Sequence, residues 1–124
     1  DRTELAEVVA REHGHIHRSA ELGAAALLRL LQRCDALRKP ERFAQVLLAC
    51  ECDARGRLGF EHSAYPQRAR LQAALGAAQS VATAGLAQAA QAAGARGADI
   101  VQAVAQARTR ALQAWLDGSA PAAV

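Results

Sequence analysis

Aromatic residues, lysine and strand-forming side chains are all scarce in this chain of 124 residues. Two Phe, one Tyr and one Trp are its whole aromatic complement, too few for a core built on large rings. Valine and isoleucine are sparse, and no stretch alternates apolar with polar residues as a half-buried strand does, which argues against sheets. No apolar run is long enough to span a bilayer and no signal peptide is present, so a cytoplasmic location is expected. Three cysteines, Cys34, Cys50 and Cys52, are an odd number without metal-type pairing. Cys50 and Cys52 fall on opposite sides of one helix, so reduced thiols are the expectation.

What is abundant is alanine, within a composition that is 52% apolar. Such a core is thin per residue and favours close helix packing, so the fold class is all-α, with five to six helices. One domain's worth of chain buries roughly two thirds of its unfolded surface. The net charge of +3 is carried almost wholly by arginine, since Lys39 is the only lysine. Arginine's planar fork suits phosphate and carboxylate, and a balance this mild permits an RNA or nucleotide partner without requiring one. The chain opens on Asp1 rather than Met, in what reads as the middle of a domain.

The spacing of apolar residues predicts a first helix over 3–17, with Leu5, Val8, Val9 and Ile16 buried. Glu12 falls inside that stripe and must find a partner. His13 and His17 lie one turn apart on its border, and His15 points elsewhere. Ser19 is the expected N-cap of a second, deeply buried helix that ends near Cys34 and has Glu21 in its first turn. Pro40 opens a third helix, and Gly56 is its natural stop. A turn-rich stretch over 57–67 divides two subregions, and the boundary is placed near Ser63, giving 1–62 and 63–124. A fourth helix is expected over 66–84, facing inward with Leu71, Ala74, Leu75, Ala78, Val81 and Ala82. A short helix should follow over 86–93, and a last one over 98–116 with Ile100, Val104, Ala107, Ala111 and Trp115 inward. Residues 117–124 should fray.

The third helix holds the sharpest chemical clue. Phe43, Val46, Leu47, Cys50 and Ala54 keep a one-sided rhythm, and at about 100° per residue Asp53 projects between Val46 and Ala49. Asp53 is thus expected on the buried side, where an unpaired carboxylate costs several kcal/mol. It needs a metal, a donor or a cation, and Arg57 or Arg42 would serve as a purely structural answer. His13 and His17, at i and i+4, can chelate a divalent ion, although HExxH is missing and such pairs also serve as surface or capping residues. Gly94-Ala95-Arg96-Gly97 fits a GxxG string, but the KH module that uses it needs a sheet. A tight turn between helices, or a phosphate on the following helix N-terminus, are the other readings. Arg68, Arg70, Arg96, Arg108 and Arg110 could form a phosphate-contacting strip or simply be solvated.

Several strings together resemble a known family. Val9-Ala10-Arg11-Glu12-His13-Gly14-His15-Ile16-His17, Asp35 to Phe43, Cys52 to Glu61 and Tyr65-Pro66-Gln67 resemble successive blocks of the bacterial multifunctional CCA-adding enzyme. Gly97-Ala98-Asp99-Ile100 and Arg108 are consistent with its tail. That family is a tRNA nucleotidyltransferase with an HD phosphohydrolase domain. The resemblance implies a C-terminal fragment, with the rear of the HD domain over 1–62 and tail helices beyond. It implies tRNA as partner, CTP and ATP as nucleotide substrates of a head that is absent here, and Mg2+ for nucleotidyl transfer. A divalent metal, Ni2+ or Mg2+, would serve the HD site in hydrolysing 2′,3′-cyclic phosphates, 2′-nucleotides and other phosphoesters. By likeness Asp53 matches the closing aspartate of that metal site, His13 the later histidine, and His17 a weaker match. The glycine-rich head, its paired aspartates and the His-Asp dyad are missing, and Gly14 stands where relatives can carry an acid. The fragment alone should therefore be inactive.

The reading from a different class is a stand-alone α-helical interaction module with structural ion pairs. The coding sequence upstream of Asp1 separates the two. A nucleotidyltransferase head and a His-Asp dyad are expected there under the first reading, and neither under the second.

Overall fold

The computed structural model describes residues 2–57 and 59–119. The described residues form six α-helices and one 3₁₀ turn and contain no strand, so the all-α expectation holds. The helices are α1 (Arg2–His17), α2 (Ala24–Arg33), α3 (Pro40–Arg55), α4 (Pro66–Gln79), α5 (Thr83–Ala92) and α6 (Gly97–Ser119), with the 3₁₀ turn at Ser19–Glu21. α1 packs on α3, α2 crosses to α6, and α6 also carries α4 and α5. One continuous core joins Val8 and Ile16 of α1, the leucines of α2, Phe43, Val46, Leu47 and Cys50 of α3, Leu71 and Leu75 of α4, and Leu112 of α6.

Most boundaries follow the sequence, and the exceptions have local causes. Ser19 does not cap α2. Backbone bonds Arg18 N–H to Gly14 O, Glu21 N–H to Arg18 O and Leu22 N–H to Ser19 O prolong α1 into the 3₁₀ turn. Gly23, extended at φ −80° and ψ −179°, is the true N-cap. Ser19 is buried instead, and Glu21 lies in the turn. α4 stops at Gln79 rather than near Ala84. The Ser80 hydroxyl donates to the Ala77 carbonyl at 2.6 Å, a local bond that competes with helix continuation. Val81 and Ala82 consequently sit in the connection to α5, half-buried and exposed respectively. α6 runs through Asp117–Ser119, and the rest of the expected frayed end, 120–124, lies outside the described residues.

Two helix ends use the same 6→1 and 5→2 hydrogen-bond pattern. After α2, Ala36 N–H bonds Leu31 O at 2.9 Å and Asp35 N–H bonds Gln32 O at 3.0 Å. Asp35 takes φ 54°, a left-handed value tolerated by aspartate, and lets the chain reverse into α3. After α5, Ala95 N–H bonds Ala90 O and Gly94 N–H bonds Gln91 O, with Gly94 at φ 89°. The Gly94–Gly97 string is therefore a tight interhelical turn.

Glu12 is buried and finds the partners its position demanded. Its Oε1 accepts from Arg33 Nε at 3.0 Å and contacts His15 Nδ1 at 3.1 Å, while Oε2 accepts from Arg11 Nε at 3.0 Å. Arg11 also donates to the Arg33 carbonyl at 2.8 Å, which ties α1 to the last turn of α2. Burial raises the Glu12 pKa, but hydrogen bonds from Arg33 and Arg11 and the charge of Arg33 outweigh it, so the net shift is downward. A carboxylate with a depressed folded pKa stabilises the fold above its ordinary range, and that contribution is lost as pH falls through the folded value. Glu12→Gln should destabilise the chain by about 2 kcal/mol at neutral pH. In urea unfolding, the gap between the two proteins should close as pH falls through the lowered Glu12 pKa.

Candidate metal centre and the adjoining cleft

His17 is the last residue of α1, and three residues from other elements meet it. Its Nδ1 lies 2.9 Å from the Tyr65 hydroxyl, its Nε2 lies 3.3 Å from Asp53 Oδ2, and its backbone carbonyl accepts from Gln67 Nε2 at 2.9 Å. Burial, followed by the neighbouring Cys50, Asp53 and Glu51, pushes the Tyr65 phenol well above its usual range. Tyr65 is thus a firm O–H donor. The proton arrangement that satisfies all three groups has Tyr65 donating to Nδ1 and Nε2–H donating to Asp53.

The same two atoms suit a divalent cation when the ring proton lies instead on Nδ1 and is donated to the Tyr65 oxygen. Ligands about 2.1 Å from a tetrahedral ion stand about 3.4 Å apart, close to the observed separation. His13 packs edge-on against His17, with ring centroids 5.8 Å apart. Its Nδ1 contacts the Val9 and Ala10 carbonyls at 3.0 and 3.1 Å, so Nε2 is the nitrogen left for a ligand. A backbone carbonyl on the other ring nitrogen is the usual support of a metal-binding histidine. Among the described residues, however, no group of three His, Cys, Asp or Glu side chains is arranged to hold an ion. Asp53 and His17 are adjacent donors with His13 as a neighbour, which is fewer donors than a metal ion needs.

Asp53 departs from expectation in one respect. Its side chain is 52% exposed, not buried. The apolar arc of α3 is wider than the surface that the other helices cover. Phe43, Val46, Leu47 and Cys50 are enclosed, whereas the flank with Ala49 and Asp53 opens onto a groove lined by Leu5, Val9 and His13. Neither arginine named as a structural partner reaches it. Arg42 bonds Glu4 and the Cys34 carbonyl, and among the described residues the Asp53 partner is His17. On the far side of His17 lies an open cleft of 420 Å³ bounded by Arg18, Arg57, Phe60, Tyr65 and Gln67. The His17–Asp53 pair therefore sits on the ridge between two depressions.

Comparison with known proteins places this arrangement in context. A multifunctional CCA protein of Paracidovorax citrulli is 67% identical over 120 residues, covering 97% of this chain and 29% of the relative. That of Variovorax paradoxus is 67% identical over 111 residues, 90% of this chain and 26% of the relative. That of an Acidovorax species is 59% identical over 117 residues, 94% of this chain and 28% of the relative. The chain belongs to the multifunctional CCA protein family. It spans less than a third of the length of these curated relatives. No family model matches it. No solved structure matches it either.

Within this member of the multifunctional CCA family, the five tail arginines have separate settings. Arg68 pairs with Glu51 at 3.2 Å, and Arg70 stacks 5.3 Å over the Trp115 ring while reaching the Ser19 carbonyl. Arg96 and Arg110 are exposed and about 20 Å apart along α6, and Arg108 is half-buried with an unpartnered Nε. Sequence reasoning overlooked Tyr65 and Gln67 as the supports of His17. The Tyr-Pro pair was the available signal, since a proline at the first position of α4 fixes where both side chains start. No helix among the described residues is long and apolar enough to cross a membrane.

The three thiols differ in exposure. Burial, with a smaller contribution from Glu12, pushes Cys34 up to about 12, and burial with Asp53 pushes Cys50 up to about 11. Cys52 is exposed. Because the thiolate is the reactive form, a thiol reagent at neutral pH should label Cys52 rapidly in the native chain. Cys34 and Cys50 should react only after denaturant is added, which mass spectrometry can follow.

Proposed function

We propose that this chain is the C-terminal helical part of a CCA-adding tRNA nucleotidyltransferase, which adds CCA to tRNA 3′ ends from CTP and ATP through a head lying outside it. The carrying observation is 67% identity to a multifunctional CCA protein over 97% of the chain. In this reading residues 1–62 are the rear of an HD phosphohydrolase domain and 63–124 are tail helices that support tRNA. Asp53 and His17, with His13 beside them, form one corner of the divalent metal site, Ni2+ or Mg2+, and remaining ligands come from elsewhere in the whole protein. The 3.3 Å spacing of Oδ2 and Nε2 supports that role.

A divalent ion held there would supply charge neutralisation and an activated water for phosphoester hydrolysis. Tyr65 holds the imidazole, Gln67 holds the His17 backbone carbonyl, and Asp53 accepts from the ring when no ion is bound. Exposed Arg96 and Arg110 are the tail cations most available to RNA phosphates, since Arg68 and Arg70 already have partners within the chain. Mg2+ for nucleotidyl transfer belongs to the head.

The isolated chain should catalyse neither nucleotide transfer nor cyclic phosphodiester hydrolysis. In the complete enzyme, Asp53→Ala should abolish phosphohydrolase activity and leave CCA addition intact. Turnover by the purified chain that disappears on Asp53→Ala would overturn this reading.

A further inference from the structure

The three histidines of α1 face different kinds of partner. The Nδ1 of His13 contacts the Val9 and Ala10 carbonyls, and the Nδ1 of His15 contacts Glu12 Oε1. Carbonyl and carboxylate oxygens only accept, so both rings carry a proton on Nδ1. His17 has the opposite setting. Its Nδ1 meets the Tyr65 hydroxyl at 2.9 Å, a group that can donate or accept. Its Nε2 meets the Asp53 carboxylate at 3.3 Å, a group that only accepts. Without an ion, the proton of His17 therefore lies on Nε2 and occupies Asp53. The Tyr65 ring is held firmly enough to serve as a reference for this histidine. It is half-buried against the core and packs edge-on on the His17 ring, with centroids 5.7 Å apart and planes at 87°. Pro66, at the first position of α4, restrains the backbone beside it.

We propose that Tyr65 is a positioning residue of the metal corner and works by reversing its hydrogen bond to His17. The inference rests on the metal reading of Asp53 and His17 given above, and adds how His17 passes between its two states. With the corner empty, Tyr65 donates to Nδ1 and the Nε2 proton latches the ring to Asp53. For His17 to act as a ligand, the Nε2 proton leaves to solvent, another enters at Nδ1, and the Tyr65 oxygen accepts it. The ring keeps the same number of protons and need not move. The phenol hydrogen turns towards solvent in the open cleft that Tyr65 lines. A carbonyl or carboxylate in this place would serve only the ligand state, and a phenylalanine would serve neither. The bond is the stronger in the ligand state, because a cation at Nε2 polarises the Nδ1–H donor. Loss of the hydroxyl therefore weakens ligand binding instead of cancelling between the two states.

Nitrogen-15 spectra of the imidazoles and calorimetry with Zn2+ test this. In the metal-free chain at about pH 8, where an ordinary imidazole is neutral, His17 should be protonated at Nε2 and His13 and His15 at Nδ1. Tyr65→Phe keeps the edge-on ring and removes only the hydroxyl. It should shift the His17 Nδ1 resonance and leave His13, His15 and the amide spectrum beyond its neighbours unchanged. In the complete enzyme, Tyr65→Phe should weaken Zn2+ binding about tenfold, and Asp53→Ala should weaken it further. A His17 ring protonated at Nδ1 in the metal-free chain, or a Nδ1 resonance indifferent to Tyr65→Phe, overturns the proposal. So does wild-type Zn2+ affinity in Tyr65→Phe when Asp53→Ala has lost it, a result that leaves the metal reading standing. Wild-type affinity in both variants defeats the metal reading, and the proposal falls with it.

Discussion

The carboxylate of Glu12 is the constraint on which the first half of the fold depends. It is fully enclosed, and a buried charge persists only where donors replace water. Arg33, from the last turn of α2, and Arg11, from the preceding position of α1, supply them. Because Arg11 also bonds the Arg33 carbonyl, the same group closes a helix end and fixes the approach of α1 to α2. α1 in turn packs on α3, so the register of one acid helps set where the last residue of α1 meets Asp53.

That register produces a surface with two faces. On one side of the His17–Asp53 pair lies a mostly apolar groove between α1 and α3, and on the other a cleft with two unpaired arginines and an exposed ring. The pair itself is balanced by hydrogen bonds from Tyr65 and Gln67. A neutral imidazole has one N–H and one lone pair, so Nε2 takes a cation only when the ring proton sits on Nδ1 and is donated to the Tyr65 oxygen. The arrangement thus prepares Nε2 for either a proton or a cation without any further rearrangement of the ring.

Much of this was legible in the residues, for identifiable reasons. Proline at position 40 and the rhythm Phe43, Val46, Leu47, Cys50 determine α3 almost to the residue, because a fixed φ and a 3.6-residue period are local properties. Glu12 was legible as an acid in need of a partner, although Arg33, 21 residues away, was not, since long-range pairing leaves no trace in spacing. Burial of Asp53 was misread for a related cause. Periodicity tells which way a side chain points, not how far the neighbouring helices extend to cover it. Ser19 looked like a cap by type, but the backbone bonds that prolong α1 had already been made. Leu112, the buried residue of α6, escaped notice because the helix's alanine face gave a broad and weak stripe.

The contacts of His17 carry one more consequence. Both supports of its ring and carbonyl come from the first residues at the head of α4, which itself rests on α6. The segment between Gly56 and Tyr65 is therefore a tether rather than a seam as far as this histidine is concerned. Were the chain severed there and the second half allowed to drift away, His17 would keep Asp53 and lose what aims it. The orientation of a side chain in the first helix is, in this molecule, a property of the second half of the chain.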